Sequence, residues 1–335
     1  MHGGSFGTAS GVPPRGNAAL ARDRARYGSA GLSRLFCFGL GYTARFLANG
    51  LKRAGWTLAG TARTAEDCAR LAAAGFPALP FTRGRPLADP AAALAGATHA
   101  LISVPPDESG DPVLDEHGAD LASHPGLHWV GYLSTTGVYG DHGGGWVDED
   151  TPLAPTGERG RRRQEAEAGW LDLFRRHGLP VHVFRLAGIY GPGRSALDAL
   201  RAGTAQRIDK PGQVFSRIHV ADLAAVLLAS MARPDPGRIY NVCDDDPAPP
   251  AEVIAFAAGL LHVTPPPLVP FDAAELSPMA RSFYADNKRV SNRRMKEELR
   301  VRLRYPSYRE GLEALLKTER PTDPSSPASN ESPSL

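Results

Sequence analysis

The residues whose types and spacing most directly imply chemistry are Gly39, Leu40, Gly41, Tyr42, Thr43 and Ala44. They form a Gly-x-Gly-x-x-Ala pattern after the apolar run Leu35 to Phe38 and before a segment with Ala44, Leu47, Ala48 and Leu51 at helical spacing. Gly39 permits a tight turn, Gly41 lets the backbone come close to a phosphate, and Ala44 keeps the helix near the strand. The helix amino end then offers free N–H groups and a partial positive charge, so the chemistry implied is pyrophosphate binding. A carboxylate roughly 20 residues past the glycines would hold the ribose hydroxyls of NAD. Here that place reads Gly60-Thr61-Ala62-Arg63-Thr64, with no acid. Arg63 can instead make charge-assisted bonds to a 2′-phosphate, which favours NADP, with NAD as the alternative.

These residues need a scaffold, and the pattern around them describes one. Short apolar runs alternate with helix-like segments, which predicts an α/β chain with a doubly wound parallel sheet, the Rossmann arrangement. Strands are expected at Leu35–Phe38, Trp56–Thr61, Phe76–Phe81, Thr98–Val104, His128–Ser134 and Val181–Leu186. Thr64 offers a helix cap with Asp67 three residues on. Pro105 and Pro106 stop the fourth strand, placing Ser103 and Val104 at the sheet edge where such folds hold a cofactor. Further on, helices are expected at 161–177, 222–232, 251–261 and 308–316, with Asp222 as a cap, and a strand at Arg238–Cys243. The division is a dinucleotide-binding domain at 34–190 and a carboxyl-terminal part with a small substrate lobe at 191–318, interleaved with that core. Residues 1–33 read as a disordered leader or a start placed too early, an organellar transit peptide being the alternative; 319–335, rich in Pro and Ser, reads as a disordered tail.

Five segments carry a resemblance to one family. They are Leu133 to Gly140 (LSTTGVYG), Asp148 to Pro155 (DEDTPLAP), Arg185 to Gly193 (RLAGIYGPG), Arg217 to Asp222 (RIHVAD) and Tyr240 to Val242 (YNV). In order and spacing the chain resembles the extended short-chain dehydrogenase/reductases, the NAD-dependent epimerases and dehydratases, over about residues 34 to 318. The resemblance implies a Ser or Thr that orients a substrate oxygen, matched by Thr135 with Ser134 beside it. It also implies a Tyr that passes a proton and a Lys four residues later that holds the ribose, one helical turn apart. At those two places this chain has Arg159 and Arg163. A guanidinium stays protonated in proteins and cannot act as a general acid-base near neutral pH, whereas Arg163 can still hold a ribose or phosphate. Tyr139, Glu158 and a substrate-bound water are the alternatives for moving the proton. Arg194, after Gly191-Pro192-Gly193, matches the family's substrate-side loop and is a candidate for an anionic substrate group.

Composition narrows the class. The 335 residues are 42% hydrophobic and carry a net charge of +2, enough for a large core and without the basic stripe of a nucleic-acid surface. No apolar stretch approaches the roughly 20 residues that span a bilayer. Cys37, Cys68 and Cys243 form neither a disulfide framework nor a metal motif, which suits a reducing cytoplasm. No metal is expected, and His219 reads as a structural histidine. Three functions remain: an oxidoreductase or epimerase-like enzyme acting on a small carbonyl, alcohol or sugar-like substrate, a non-catalytic NADP(H)-binding sensor, or an unrelated nucleotide-sugar-binding scaffold. Members of the family often dimerise, so a homodimer is the expected assembly.

Overall fold

The computed structural model describes residues 33–319 of the chain. The expected leader and tail therefore lie outside it, apart from Ser33 and Glu319. Seven strands form the central sheet: β1 (Arg34–Phe38), β2 (Thr57–Ala62), β3 (Ala78–Pro80), β4 (His99–Ile102), β5 (Trp129–Thr135), β6 (Val181–Leu186) and β7 (Ile239–Val242). Every neighbouring pair is parallel, in the order β7-β6-β5-β4-β1-β2-β3. The order reverses at β1, which has β2 on one side and β4 on the other. In such sheets the crevice beyond the carboxyl ends of those strands receives the ligand.

Alternation along the strands divides the core between two faces. Leu35 and Cys37 point to the face covered by helices α1 (Tyr42–Arg53) and α7 (Val220–Ala232), with Leu47, Leu51, Val226 and Leu227 against them. Phe36 and Phe38 point the other way, toward Val113 and Leu121 of α4 (Pro112–Ala122) and Trp170 of α5 (Glu158–His177). The strands β4, β5 and β6 are almost wholly buried, as a sheet covered on both faces requires. Thr64 caps α2 (Ala65–Ala73) as expected, its hydroxyl accepting from the Asp67 N–H at 3.0 Å.

The remaining helices are α3 (Pro90–Leu94), α6 (Ala196–Arg201), α8 (Pro250–Leu261), α9 (Pro278–Phe283), α10 (Arg293–Glu298) and α11 (Tyr308–Glu319). Residues of Tyr190, α6, α8 and α11 share a separate apolar cluster, including Leu197, Val253, Ala257 and Leu312. It is distinct from the two clusters that flank the main sheet, to which β7 belongs. Two expectations need correction. Helices α3 and α4 lie where no helix was expected; each is started by an aspartate cap, Asp89 or Asp111, followed by proline at the first turn. Asp222 is not the cap of α7. The cap is His219, whose Nδ1 accepts from the Ala221 N–H at 3.1 Å. Asp222 instead accepts from the Arg304 and Tyr305 N–H groups, at 2.8 and 2.9 Å, tying the chain before α11 to α7.

One buried histidine gives the fold a pH dependence. His182 in β6 is fully buried, its ring stacked on Trp129 at 5.9 Å, and its Nε2 accepts from the Asp235 N–H at 2.9 Å. Burial pushes its pKa from 6.5 down to about 4. Below pH 6.5 the unfolded chain takes up a proton that the folded chain refuses, so this contribution is complete above pH 6.5 and is lost as pH falls toward 4. At about 1.4 kcal/mol per pH unit the loss reaches roughly 3 kcal/mol. Urea midpoints measured across that range should fall less steeply for His182→Gln than for the unaltered chain; an unchanged slope would contradict the assignment.

Candidate cofactor and substrate site

The turn between β1 and α1 is fixed by its neighbours. Gly39 has φ +89°, a left-handed backbone that favours glycine, and a Cβ there would lie 3.0 Å from the Ser103 Oγ and 3.1 Å from the Val104 Cγ2. Its N–H donates to the Thr61 Oγ1 at 2.9 Å, and its carbonyl accepts from the Ser103 hydroxyl at 2.6 Å. The Leu40 N–H donates to the Thr61 carbonyl at 2.9 Å. Ser103 and Val104 thus brace the turn from β4. Thr61 braces it from β2, a part that β-strand alternation alone did not single out.

Gly41 is different in kind. It precedes α1 in extended backbone, no side chain caps the helix there, and the space a Cβ would occupy is open to 4 Å. The first turn of α1 carries no acidic residue. Open space over a helix amino end with unopposed N–H groups is a cradle for an anion. Thr43 and Ala44 are buried and hold the helix against the sheet. Arg63, immediately after β2, is exposed and makes no hydrogen bond or ion pair with the described residues. Its guanidinium is available to a ligand.

The end of β5 holds the next group. Thr135 is half-buried; its Oγ1 accepts from the Gly137 N–H at 3.1 Å, and its own hydroxyl hydrogen has no acceptor among the described residues. Ser134 faces the opposite way. It is buried and donates to Glu167, so it belongs to the core. Tyr139 is fully buried too, donating to the Asn241 Oδ1 at 2.7 Å and accepting from Arg185 at 2.9 Å, while burial pushes its phenol up to about 12. Arg185 completes this network by pairing with Glu167 at 2.8 Å, both side chains 3% exposed.

On α5, Arg159 is exposed with its guanidinium over the Phe283 ring at 5.4 Å. Arg163 is half-buried and donates to the Leu133 carbonyl at 2.6 Å and the Tyr132 hydroxyl at 3.1 Å, which pins α5 to β5. Glu158 is exposed and paired with Arg161, whose hydrogen bond holds its carboxyl below the usual range. On the lobe side, the Tyr42 hydroxyl donates to the Pro192 carbonyl at 3.2 Å, and the Arg194 guanidinium lies over the Tyr42 ring at 5.7 Å. Arg194 also lines a cavity of about 420 Å³ in the lobe.

The NAD dependent epimerase/dehydratase family matches residues 119–243, the stretch that includes Thr135, Arg159 and Arg163. A functionally unknown conserved protein from Silicibacter pomeroyi DSS is 55% identical, with a TM-score of 0.79 over 85% of this chain and 99% of that one. Protein YeeZ of Escherichia coli K12 is 29% identical over 248 residues, 70% of this chain and 86% of YeeZ. The dTDP-glucose 4,6-dehydratase of Bacillus anthracis, solved with NAD, has a TM-score of 0.68 at 17% identity, covering 85% of this chain and 96% of that one, a likeness of fold. Residues 119–243 thus carry the NAD-dependent epimerase/dehydratase domain.

Family resemblance places a tyrosine where Arg159 stands, and no rotation of a guanidinium supplies an acid-base group there. Arg163 has its Nη1 committed to β5, leaving the other guanidinium nitrogens to face ligand or solvent. At the end of β5 the Thr135 hydroxyl is able to donate to an oxygen.

Proposed function

We propose that this chain is an NADP(H)-binding oxidoreductase of the extended short-chain type that acts as a reductase on a small carbonyl-type substrate. The observation that carries the reading is the open cradle over Gly41 at an uncapped helix amino end, with Arg63 free at the end of β2. Gly39 to Ala44 would hold the pyrophosphate, Ser103 and Val104 the adjoining sheet edge, Arg163 the ribose and Arg63 a 2′-phosphate. A bound nicotinamide supplies the hydride. Thr135 donates its hydroxyl hydrogen to the substrate oxygen and stabilises the negative charge that develops there. Arg159, Ser134 and Tyr139 take no part in this reading, the first for its chemistry and the other two for their burial. The final proton comes from water, leaving hydroxide to the solvent. Reduction tolerates this better than epimerisation, which needs a base to start.

A cytoplasmic location and a homodimer belong to the same reading. Three buried, unpaired cysteines support the first, and family resemblance supports the second. Among the described residues no helix is long and apolar enough to cross a membrane.

Titration with NADPH and NADH tests the cofactor, followed by hydride transfer to a panel of carbonyls and sugars. Arg63→Ala should weaken NADPH by about tenfold or more while sparing NADH, since a charge-assisted pair is the interaction lost. Equal weakening of both nucleotides would refute the NADP assignment. Tight NADPH binding with no turnover on any substrate would instead identify a sensor, the reading that the loss of the tyrosine favours.

A further inference from the structure

The lobe cavity of about 420 Å³ lies within the roughly 300–1,000 Å³ range of small-molecule sites. Its walls are chemically divided. Ala196 and Ala199 of α6, Pro250, Val253 and Ile254 of α8, and Leu312 of α11 make an apolar side. Arg194 and Arg217 make a cationic one. Neither guanidinium has a carboxylate within ion-pair distance among the described residues. The Arg217 Nη1 donates to the Phe215 and Ala248 carbonyls at 2.8 and 3.1 Å, which fixes the fork and leaves its other nitrogens for the cavity.

The nearby acids offset this charge only in part. Asp198, which accepts from the Ser195 hydroxyl at 2.6 Å, brings one negative charge against the two arginines. Asp244 is 1% exposed and its Oδ2 has no hydrogen-bond partner. Burial pushes that carboxyl up to about 8, against the opposing pull of Arg217, so it is mostly neutral at pH 7. Other polar groups are already used: the Tyr190 hydroxyl donates to the Ser307 carbonyl at 3.3 Å. Beyond the two arginines, the Gln206 side chain and the Tyr308 hydroxyl line the cavity with hydrogen-bonding capacity to spare. An apolar body can lie on the Val253, Ile254 and Leu312 wall without bringing donors or acceptors that need partners there.

We propose that this cavity binds an organic acid, its single anionic head on Arg217 and Arg194 and its apolar body against Val253, Ile254 and Leu312. The proposal deepens the reductase reading, on which it rests for calling the cavity a substrate site. The test uses calorimetry on the full chain with hydrocinnamate, its neutral amide, and UDP-glucose. Hydrocinnamate should bind, and the amide should bind about tenfold or more weakly, because it cannot form the charge-assisted pair. Arg217→Gln and the exposed Arg194→Gln should each cost hydrocinnamate a similar factor and leave the amide unaffected; Arg194→Gln keeps the test open if the Arg217 variant does not fold. Ile254→Asp should abolish hydrocinnamate binding. UDP-glucose binding more tightly than hydrocinnamate, no binding of hydrocinnamate, or full hydrocinnamate affinity in both glutamine variants would overturn the proposal. NADPH is titrated separately, so a failure there would strike the cofactor reading and leave the cavity result standing.

Discussion

Gly41→Val is expected to abolish dinucleotide binding while lowering the melting temperature by only about 2–4 °C, the cost of a poorer N-cap. The backbone at Gly41 has φ −78° and ψ −164°, extended geometry that valine adopts readily, and a Cβ there meets nothing within 4 Å. The cost to folding is then that of a poorer N-cap, about 1 kcal/mol. The new side chain would occupy the space over the α1 amino end, holding a pyrophosphate away from the N–H groups that should bind it. A loss of about 100-fold or more in NADPH and NADH affinity corresponds to roughly 3 kcal/mol. Calorimetric titration and a melting curve on the same preparation separate the two effects. Retained affinity would remove the turn from the cofactor site, and a large drop in melting temperature would show that the open space is structural.

The largest stability effect should come from a residue that touches no ligand. Glu167→Ala leaves the Arg185 guanidinium, 3% exposed, without its carboxylate. Its remaining partners are the Tyr139 hydroxyl at 2.9 Å and the Glu149 carbonyl at 3.5 Å. Breaking a buried pair from one side costs about 3–5 kcal/mol, because the surviving charge stays desolvated. Replacing both partners by apolar groups, Glu167→Leu with Arg185→Met, should recover most of that loss. Urea denaturation of the two variants makes the comparison. A single variant within about 1 kcal/mol of the unaltered chain would mean that the interior at β5 and β6 admits water.

The sequence made the cofactor half legible because its signals are local. An apolar run bounded by glycine, then helical spacing, identifies β1, the turn and α1 within twenty residues; proline at 105 marks the end of β4 as surely. Asp222 misled because the cap that starts α7 is a histidine three positions earlier, a residue type with little capping signal. Helix α3 escaped because five residues, all apolar, are too short to show helical periodicity, and α4 because Gly118 interrupts it. The substrate half was harder for a different reason. Tyr139, Glu167, Arg185 and Asn241 meet because β5, β6 and β7 are neighbours and α5 covers them. The cavity likewise gathers residues from 190 to 312. No spacing along the chain encodes either assembly.

The side chain of Tyr42 belongs to the phosphate turn by sequence, yet its hydroxyl is bonded to Pro192 and its ring lies under Arg194. One wall of the proposed organic-acid cavity is thus seated on the proposed phosphate turn. Any movement of that loop on the tyrosine makes the two occupancies thermodynamically linked. Linkage is reciprocal: whatever factor a bound nucleotide applies to the affinity for the acid, the acid applies to the affinity for the nucleotide. A saturating acid would then shift the nucleotide's half-saturation point by the same ratio that a saturating nucleotide shifts the acid's, with Tyr42 and Arg194 as the hinge of that exchange.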